Sequence, residues 1–270
     1  MSTVRVAALA LVGSVAAAVL TGSGTVAPLA DSIRVLQLNL CGSGMAPCYT
    51  TRSVAAAAAV IRAERPDVVT LNEVCRDGVI SLAQTLEARR GGRVVWAFQP
   101  ALDRTTGTPY VCRGSRQPFG NGIVVHLSGQ DFRTYGGTHV FQDPGDSEDR
   151  SWVCIAIGGG PLACTTHLAN TSVEVALAQC GYLFATVIPS TNGYQGGVVL
   201  AGDLNLPLDA VRSCVPSGYR HLGDGGLQQV IVSGYRAVGT RRQIDMGGAT
   251  DHPALLVTLT TSGNSDAGRA

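Results

Sequence analysis

The tetrapeptide Gly202-Asp203-Leu204-Asn205 places a carboxylic acid and a carboxamide two residues apart, directly after a β-forming run. Residues i and i+2 of a strand share a face, so both side chains point the same way. Gly, Asp and Asn also suit turns, and a plain turn would account for the tetrapeptide alone. Comparable residues recur along the chain. Asn39, Glu73, His167 and the pair Asp251–His252 each fall at, just past or just before an apolar strand-like run. Any one of them could be a cap or a turn residue. Together they gather carboxylates, amides and imidazoles at strand ends, where α/β sheets collect their sites. Glu73 follows an apolar strand, where a carboxylate without a partner is costly, and carboxylate with imidazole is the equipment of proton transfer.

The elements that would position these residues are legible from periodicity and punctuation. SIRVLQLNL, DVVTLNEV, RVVWAF, NGIVVHL and GGVVLAGDLN read as strands, with LQQVIVSG and PALLVTLT closing the pattern. SVAAAAAVIRAERPD reads as a helix capped by Ser53 and stopped at Pro66, and DGVISLAQTLEARRGG as a helix ended by Gly91. SWVCIAIGGGPLACTTHL is a hairpin about the glycine triplet, followed by a third helix in SVEVALAQCGYLFATVI. Helices alternating with strands around a central hairpin predict an α/β fold with mixed sheets. No repeat or linker interrupts it, so one domain is expected over 31–261, with 262–270 a disordered tail.

Arg5, the apolar run 6–20 and the small residues after it read as a secretory signal peptide over 1–30, too short for a spanning anchor. No later segment approaches the ~18 apolar residues of a span. The protein is therefore expected to be secreted. Export fits eight cysteines, Cys41, Cys48, Cys75, Cys112, Cys154, Cys164, Cys180 and Cys214, which lack the Cys-x-x-Cys pair of a zinc site. Cys154 and Cys164 sit symmetrically about the glycine triplet as a cross-strand pair would, and Cys41 and Cys48 close a Gly-rich loop. Cys75 with Cys112 and Cys180 with Cys214 are the pairs assigned to what remains. All 20 basic residues are Arg, against 19 acids. That balance excludes the broad basic field behind salt-driven, non-specific nucleic-acid binding. The clusters Arg89, Arg90, Arg93 and Arg241, Arg242 read as solvated faces.

In the stretches LQLNLCG, TLNEVC, TTHLAN, GDLN and TDHPALLV, taken in that order, the chain resembles the endonuclease/exonuclease/phosphatase (DNase I-like) family, as a secreted, disulfide-containing member. The resemblance implies a four-layer α/β/β/α sandwich, two packed mixed β-sheets flanked by helices, and metal-dependent cleavage of a phosphate ester. It implies Mg2+ (or Mn2+) held by Glu73, with Asn39 and Asp251 completing the shell directly or through water. Asp203 would position or deprotonate the attacking water, Asn205 would hold phosphate or that water, and His167 and His252 would serve phosphoryl binding and acid–base transfer. Arg150 resembles a phosphate-contacting arginine, and Asn121 lies near the implied site, with a turn role the alternative. His126, His139 and His221 match nothing in the pattern and are read as surface or loop residues.

The pattern breaks at Gln228, where the family usually carries an Asp that orients the catalytic histidine. A Gln can accept a hydrogen bond from the His252 ring but supplies no charge. By analogy with triad enzymes, losing an orienting Asp can cost about 10⁴ in rate. The expectation is a secreted, metal-dependent phosphodiesterase, a nuclease with nucleic acid as substrate, monomeric, with no stable membrane association and no protein partner. A lipid phosphodiesterase or phosphatase of the same fold, and a non-catalytic binding or toxin-subunit module, are the alternatives. For the lipid reading no exposed apolar hairpin is found in the sequence.

Overall fold

Strands covered on both faces must be apolar on both, and the central strands of this protein are. The computed structural model describes residues 32–127, 130–191, 193–194 and 196–261, so the expected signal peptide and tail lie outside the described residues. One six-stranded sheet runs in the order β13 (Tyr235–Ile244), β14 (Ala254–Thr261), β1 (Ser32–Asn39), β2 (Val68–Cys75), β5 (Phe119–Leu127), β3 (Arg93–Pro100). The other runs β11 (Arg220–Gly223), β12 (Gln228–Val232), β10 (Val198–Asp203), β9 (Leu162–His167), β8 (Ser151–Ile157), β6 (Phe132–Thr138). A short ribbon pairs β4 (Leu102–Asp103) with β7 (Glu148–Asp149). Both large sheets are mixed: β1–β2 and β9–β10 are parallel and their other ladders antiparallel.

Three apolar layers hold the stack. Val35, Ile123, Ile155, Val199 and Val257 fill the space between the sheets. Helices α1 (Ser53–Glu64) and α2 (Arg76–Arg90) cover the first sheet through Ile61, Leu82 and Leu86. Helix α3 (Val173–Ser190) covers the second with Leu183 and Val187, passing through a π-turn at Leu183–Val187. This is the expected four-layer sandwich. Each fully buried Leu, Ile or Val contributes about 1.5–3 kcal/mol, so the stacking fixes both sheets at once. By length and composition α3 is apolar enough to cross a membrane, contrary to the expectation that no later segment is, and one face of it is buried on the second sheet.

The four disulfides are the expected ones: Cys41–Cys48, Cys75–Cys112, Cys154–Cys164 and Cys180–Cys214. Cys154 stands directly opposite Cys164 in the β8–β9 register. Other local expectations shift. Ser53 opens α1 but makes no capping bond, and α1 ends at Arg65 in the left-handed region, ahead of Pro66. Strands β6, β11 and β13 were not predicted. β13 carries Arg241 and Arg242 on the sheet edge, with Arg242 paired to Glu64 at 2.7 Å. Arg89 and Arg90 donate to the carbonyls of Arg62, Arg65 and Pro66 around the C-terminus of α1.

The glycine before Asp203 has a packing cause. A Cβ on Gly202 would meet the Thr166 carbonyl oxygen at 2.1 Å, because β9 and β10 run side by side there. Gly202→Ala should therefore destabilise the fold by about 1–3 kcal/mol, the usual cost of overpacking, read as a lower melting temperature by circular dichroism. An unchanged melt would mean that the two strands can part freely.

Candidate active site

β1, β2, β9 and β10 all end at one edge of the sandwich, and residues at or near those ends meet there. Asn39, Glu73, His167 and Asp203 come from those four ends, Asn205 lies just past β10, and Asp251–His252 precede β14. A cavity of about 570 Å³ is bordered by Glu73, Arg150, His167, Asp203, Asn205 and Asp251–His252, with Tyr110 and Phe119 on its wall. Seven of the ten site positions singled out from the sequence thus border one space, while Asn39, Asn121 and Gln228 lie behind it.

Glu73 enters the cavity through a break in its ladder. The β2–β5 register shifts between Leu71 and Val74, so Asn72 and Glu73 share the space opposite Asn121, and Glu73 has φ 51°. A bulge of this kind re-aims a side chain, and a non-glycine residue held at positive φ costs roughly 1–3 kcal/mol. Cys41 (φ 46°) and Asn205 (φ 49°) share the left-handed backbone. Gly42 is required beside it, since its N–H donates to the Glu73 carbonyl at 2.7 Å and a Cβ would fall at the same distance from that oxygen.

The partner that Glu73 needs is Asn39, whose Nδ2 donates to Glu73 Oε1 at 2.9 Å and to Asp203 Oδ2 at 3.0 Å. Asn39 Oδ1 accepts from the Cys41 N–H at 3.0 Å, which fixes the amide orientation. Asn39 was expected to complete a metal shell directly or through water; as placed, its donor faces the two carboxylates and its acceptor faces the backbone. Asp203 is 1% exposed. Its Oδ1 accepts from the Asn205 N–H at 3.1 Å, and its Oδ2 lies 3.5 Å from His252 Nε2.

Gln228 is fully buried beside Asp203 in the β10–β12 register. Its Oε1 accepts from Gln37 Nε2 at 3.0 Å and its Nε2 faces Asp203 Oδ2 at 3.4 Å. It does not accept from His252, contrary to the sequence reading.

Arg150 is buried between Asp146 (2.6 Å) and Glu148 (2.7 Å) and donates to His167 Nδ1 at 2.9 Å. An arginine only donates, so Nδ1 accepts and the ring proton of a neutral His167 sits on Nε2. Burial, with the Arg150 charge beside it, holds the His167 pKa well below the usual histidine range, so the ring is neutral at physiological pH. Asn205 Nδ2 donates to the Leu168 carbonyl at 2.9 Å and stands 3.0 Å from His167 Nε2. His167 Nε2 also lies 4.0 Å from Glu73 Oε1, so the ring faces both the Asn205 amide and the Glu73 carboxylate. Arg150 was expected to touch phosphate; as placed it orients His167.

Asn121 is neither a turn residue nor a cavity-facing ligand. It lies in β5, accepts from Asn72 and donates to Ser151. Asn72 itself was not recognised from the sequence. Its Oδ1 accepts from the Asp203 N–H (2.7 Å) and Gln37 (2.6 Å), and its Nδ2 donates to Asn121 (2.8 Å) and the Thr166 carbonyl (3.0 Å). Its only signal was position, one residue before Glu73. His139 is buried rather than on the surface, bonds Thr166 through Nε2 at 2.9 Å and has a pKa lowered to about 3 by burial and Arg150.

Glu73 and Asp251 supply hard carboxylate oxygens to the same cavity. Burial pushes the Glu73 pKa up, and the charges of Asp203 and Asp251 push it further. A site that crowds carboxylates in this way fits a hard divalent cation, which binds through one or two of them. The other metal-spaced group among the described residues, Cys41, Cys48 and Asp251, has its sulfurs tied in a disulfide and offers no thiolate.

Because the folded state holds the Glu73 proton to higher pH than the unfolded chain does, metal-free stability falls as pH rises from the ordinary glutamate range through the raised value. At pH 8 with EDTA, Glu73→Gln should melt about 2–4 °C above the wild type, the shift for ~1 kcal/mol in a domain this size. Mg2+ should raise the wild-type melt and leave the variant unmoved. A lower melt for the variant in EDTA would contradict the burial argument.

The model of the Endonuclease/Exonuclease/phosphatase family matches residues 36–261. Curated protein sequences gave no match. Among solved structures, an endonuclease/exonuclease/phosphatase from Beutenbergia cavernae superposes with TM-score 0.65 at 20% identity, covering 88% of this chain and 74% of that one. The human Nocturnin catalytic domain with bound sulfate gives 0.64 at 18%, covering 86% and 94%. A humanized D. rerio TDP2 gives 0.59 at 16%, covering 86% and 100%. At these identities the structures show a shared fold, while the family match spans most of the chain: the protein belongs to the endonuclease/exonuclease/phosphatase family, whose members are phosphoester hydrolases that generally use divalent metals.

Proposed function

We propose that the protein is a secreted, divalent-metal-dependent phosphodiesterase, acting as a nuclease on extracellular DNA or RNA. The observation that carries this reading is the single cavity where Glu73, Asp251, the Asp203–His252 pair and the His167–Asn205 donors meet from both sheets. Glu73 and Asp251 would hold Mg2+ or Mn2+, which when bound neutralises phosphate charge and stabilises what develops in the transition state. His167 and Asn205 both border the cavity, where their N–H groups would serve as donors to a phosphoryl oxygen. His252 and the almost fully buried Asp203 both border the cavity 3.5 Å apart, so His252 would move the proton of the attacking water or leaving group and Asp203 would hold the ring. Secretion is supported by four disulfides that take up all eight cysteines. ANGEL2, a protein of similar fold, is a 2',3'-cyclic phosphatase, which keeps RNA among the substrates to try.

One observation favours a lipid phosphodiester as second reading. Val140 (64% exposed) and Phe141 (50%) stand out on the segment after β6, an apolar tip that the sequence reading had not found.

The oxidised protein incubated with plasmid DNA or RNA should cleave in Mg2+ or Mn2+ and not in EDTA. Asp203→Ala and His252→Ala should each slow cleavage by about 10²–10⁴, the worth of positioned acid–base catalysis. Folded protein that leaves both polymers intact would overturn the nuclease reading, and release of headgroup from sphingomyelin vesicles would then favour the lipid one.

A further inference from the structure

We propose that Gln228 is a positioning residue for Asp203, and that Asp203 itself is the carboxylate that holds His252. The proposal takes its catalytic meaning from the hydrolase reading above, while its geometry stands apart from it.

The direction of the Gln228 amide is set from behind. The Thr70 hydroxyl donates to Gln37 Oε1 at 2.5 Å, and Gln37 Nε2 donates at once to Asn72 Oδ1 at 2.6 Å and to Gln228 Oε1 at 3.0 Å. With its carbonyl taken, Gln228 can present only N–H to Asp203, and Nε2 lies 3.4 Å from Oδ2. All four groups are buried. Hydroxyl, amide, amide and carboxylate thus form one polarised chain ending on Asp203 Oδ2. That oxygen also receives Asn39 Nδ2 at 3.0 Å and stands 3.5 Å from His252 Nε2. Separations of that size commonly tighten when substrate binds.

The histidine therefore keeps a carboxylate partner, supplied by β10 instead of β12. Gln228 is then not a deficient aspartate. An Asp at 228 would set a second negative charge next to Asp203 where both side chains are buried, and two adjacent buried carboxylates cannot both ionise cheaply. It would also remove the N–H that now steadies Oδ2.

The two assignments of residue 228 predict opposite signs, which makes Gln228→Asp the decisive variant. If residue 228 were an orienting position awaiting its acid, Gln228→Asp would raise kcat. On the present geometry it lowers kcat by about 10–100-fold, with KM within about twofold, because a proton-transfer group is misplaced while the phosphate donors stay put. Gln228→Met keeps the volume and removes the donor, and should lower kcat by less. A rise in Gln228→Asp, or an unchanged Gln228→Met, overturns the proposal, and thermal melts show which variants are folded.

Ring 15N–1H spectra of His252 in the wild type, Asp203→Asn and Gln228→Met read the geometry without turnover. The His252 signal should move most in Asp203→Asn and in the same direction, less far, in Gln228→Met. A His252 signal indifferent to Asp203→Asn overturns the proposal even if the enzyme is active. A wild type without hydrolase activity sinks the hydrolase reading and leaves this test standing.

Discussion

The side-chain amide of Asn72 is the point on which the rest depends. Two apolar sheets stacked on each other have no intrinsic register, because burial is non-directional. Asn72 sits on the first sheet and takes hydrogen bonds to the β9 and β10 backbones of the second, so the sliding freedom ends there. Because the amide also binds Gln37 and Asn121, its hydrogen bonds are matched on both the donor and the acceptor side. A satisfied buried polar network specifies one arrangement, and a half-satisfied one would be worse than an apolar core. The strand ends bearing Glu73 and Asp203 come into proximity because this junction lies one residue behind them.

The charge of the cavity follows a similar division of labour. Five carboxylates border it, Glu73, Asp146, Glu148, Asp203 and Asp251, against the Arg150 guanidinium. Asp146 and Glu148 are committed to Arg150, and Arg150 in turn fixes which nitrogen of His167 accepts. Glu73, Asp203 and Asp251 are left to repel one another, moderated by the Asn39 amide between the first two. That residual crowding is a cation-binding property in a chain whose overall charge is nearly balanced. A nearly balanced chain offers a polyanion little long-range attraction.

Much of this was legible in the sequence, for identifiable reasons. Strand ends could be read because apolar runs terminate sharply at Asn39, His167 and Asp203, and Cys154 could be paired with Cys164 because their spacing around the glycine triplet mimics a hairpin. Gln37 and Asn72 could not, since a lone amide inside a β-forming run looks like ordinary alternation, and whether it faces solvent or another sheet is a tertiary fact. β13 was hidden because its arginines and glycine read as surface, which an edge strand also is. The direction of an amide is the least legible feature of all. Asn39, Asn121 and Gln228 were each placed near the site, yet the roles expected of them turned on which end of the carboxamide faces the cavity, and backbone and neighbouring side chains decide that.

The left-handed backbone at Glu73 has an energetic consequence. The conformation suits glycine and is tolerated by asparagine, but a glutamate there works against folding. Its buried charge works against folding too. Glycine or asparagine would relieve the backbone there and glutamine would remove the charge, so several single exchanges at this position would stabilise the chain. Glu73 is therefore a position where folding stability and the crowding of carboxylates in the cavity pull in opposite directions.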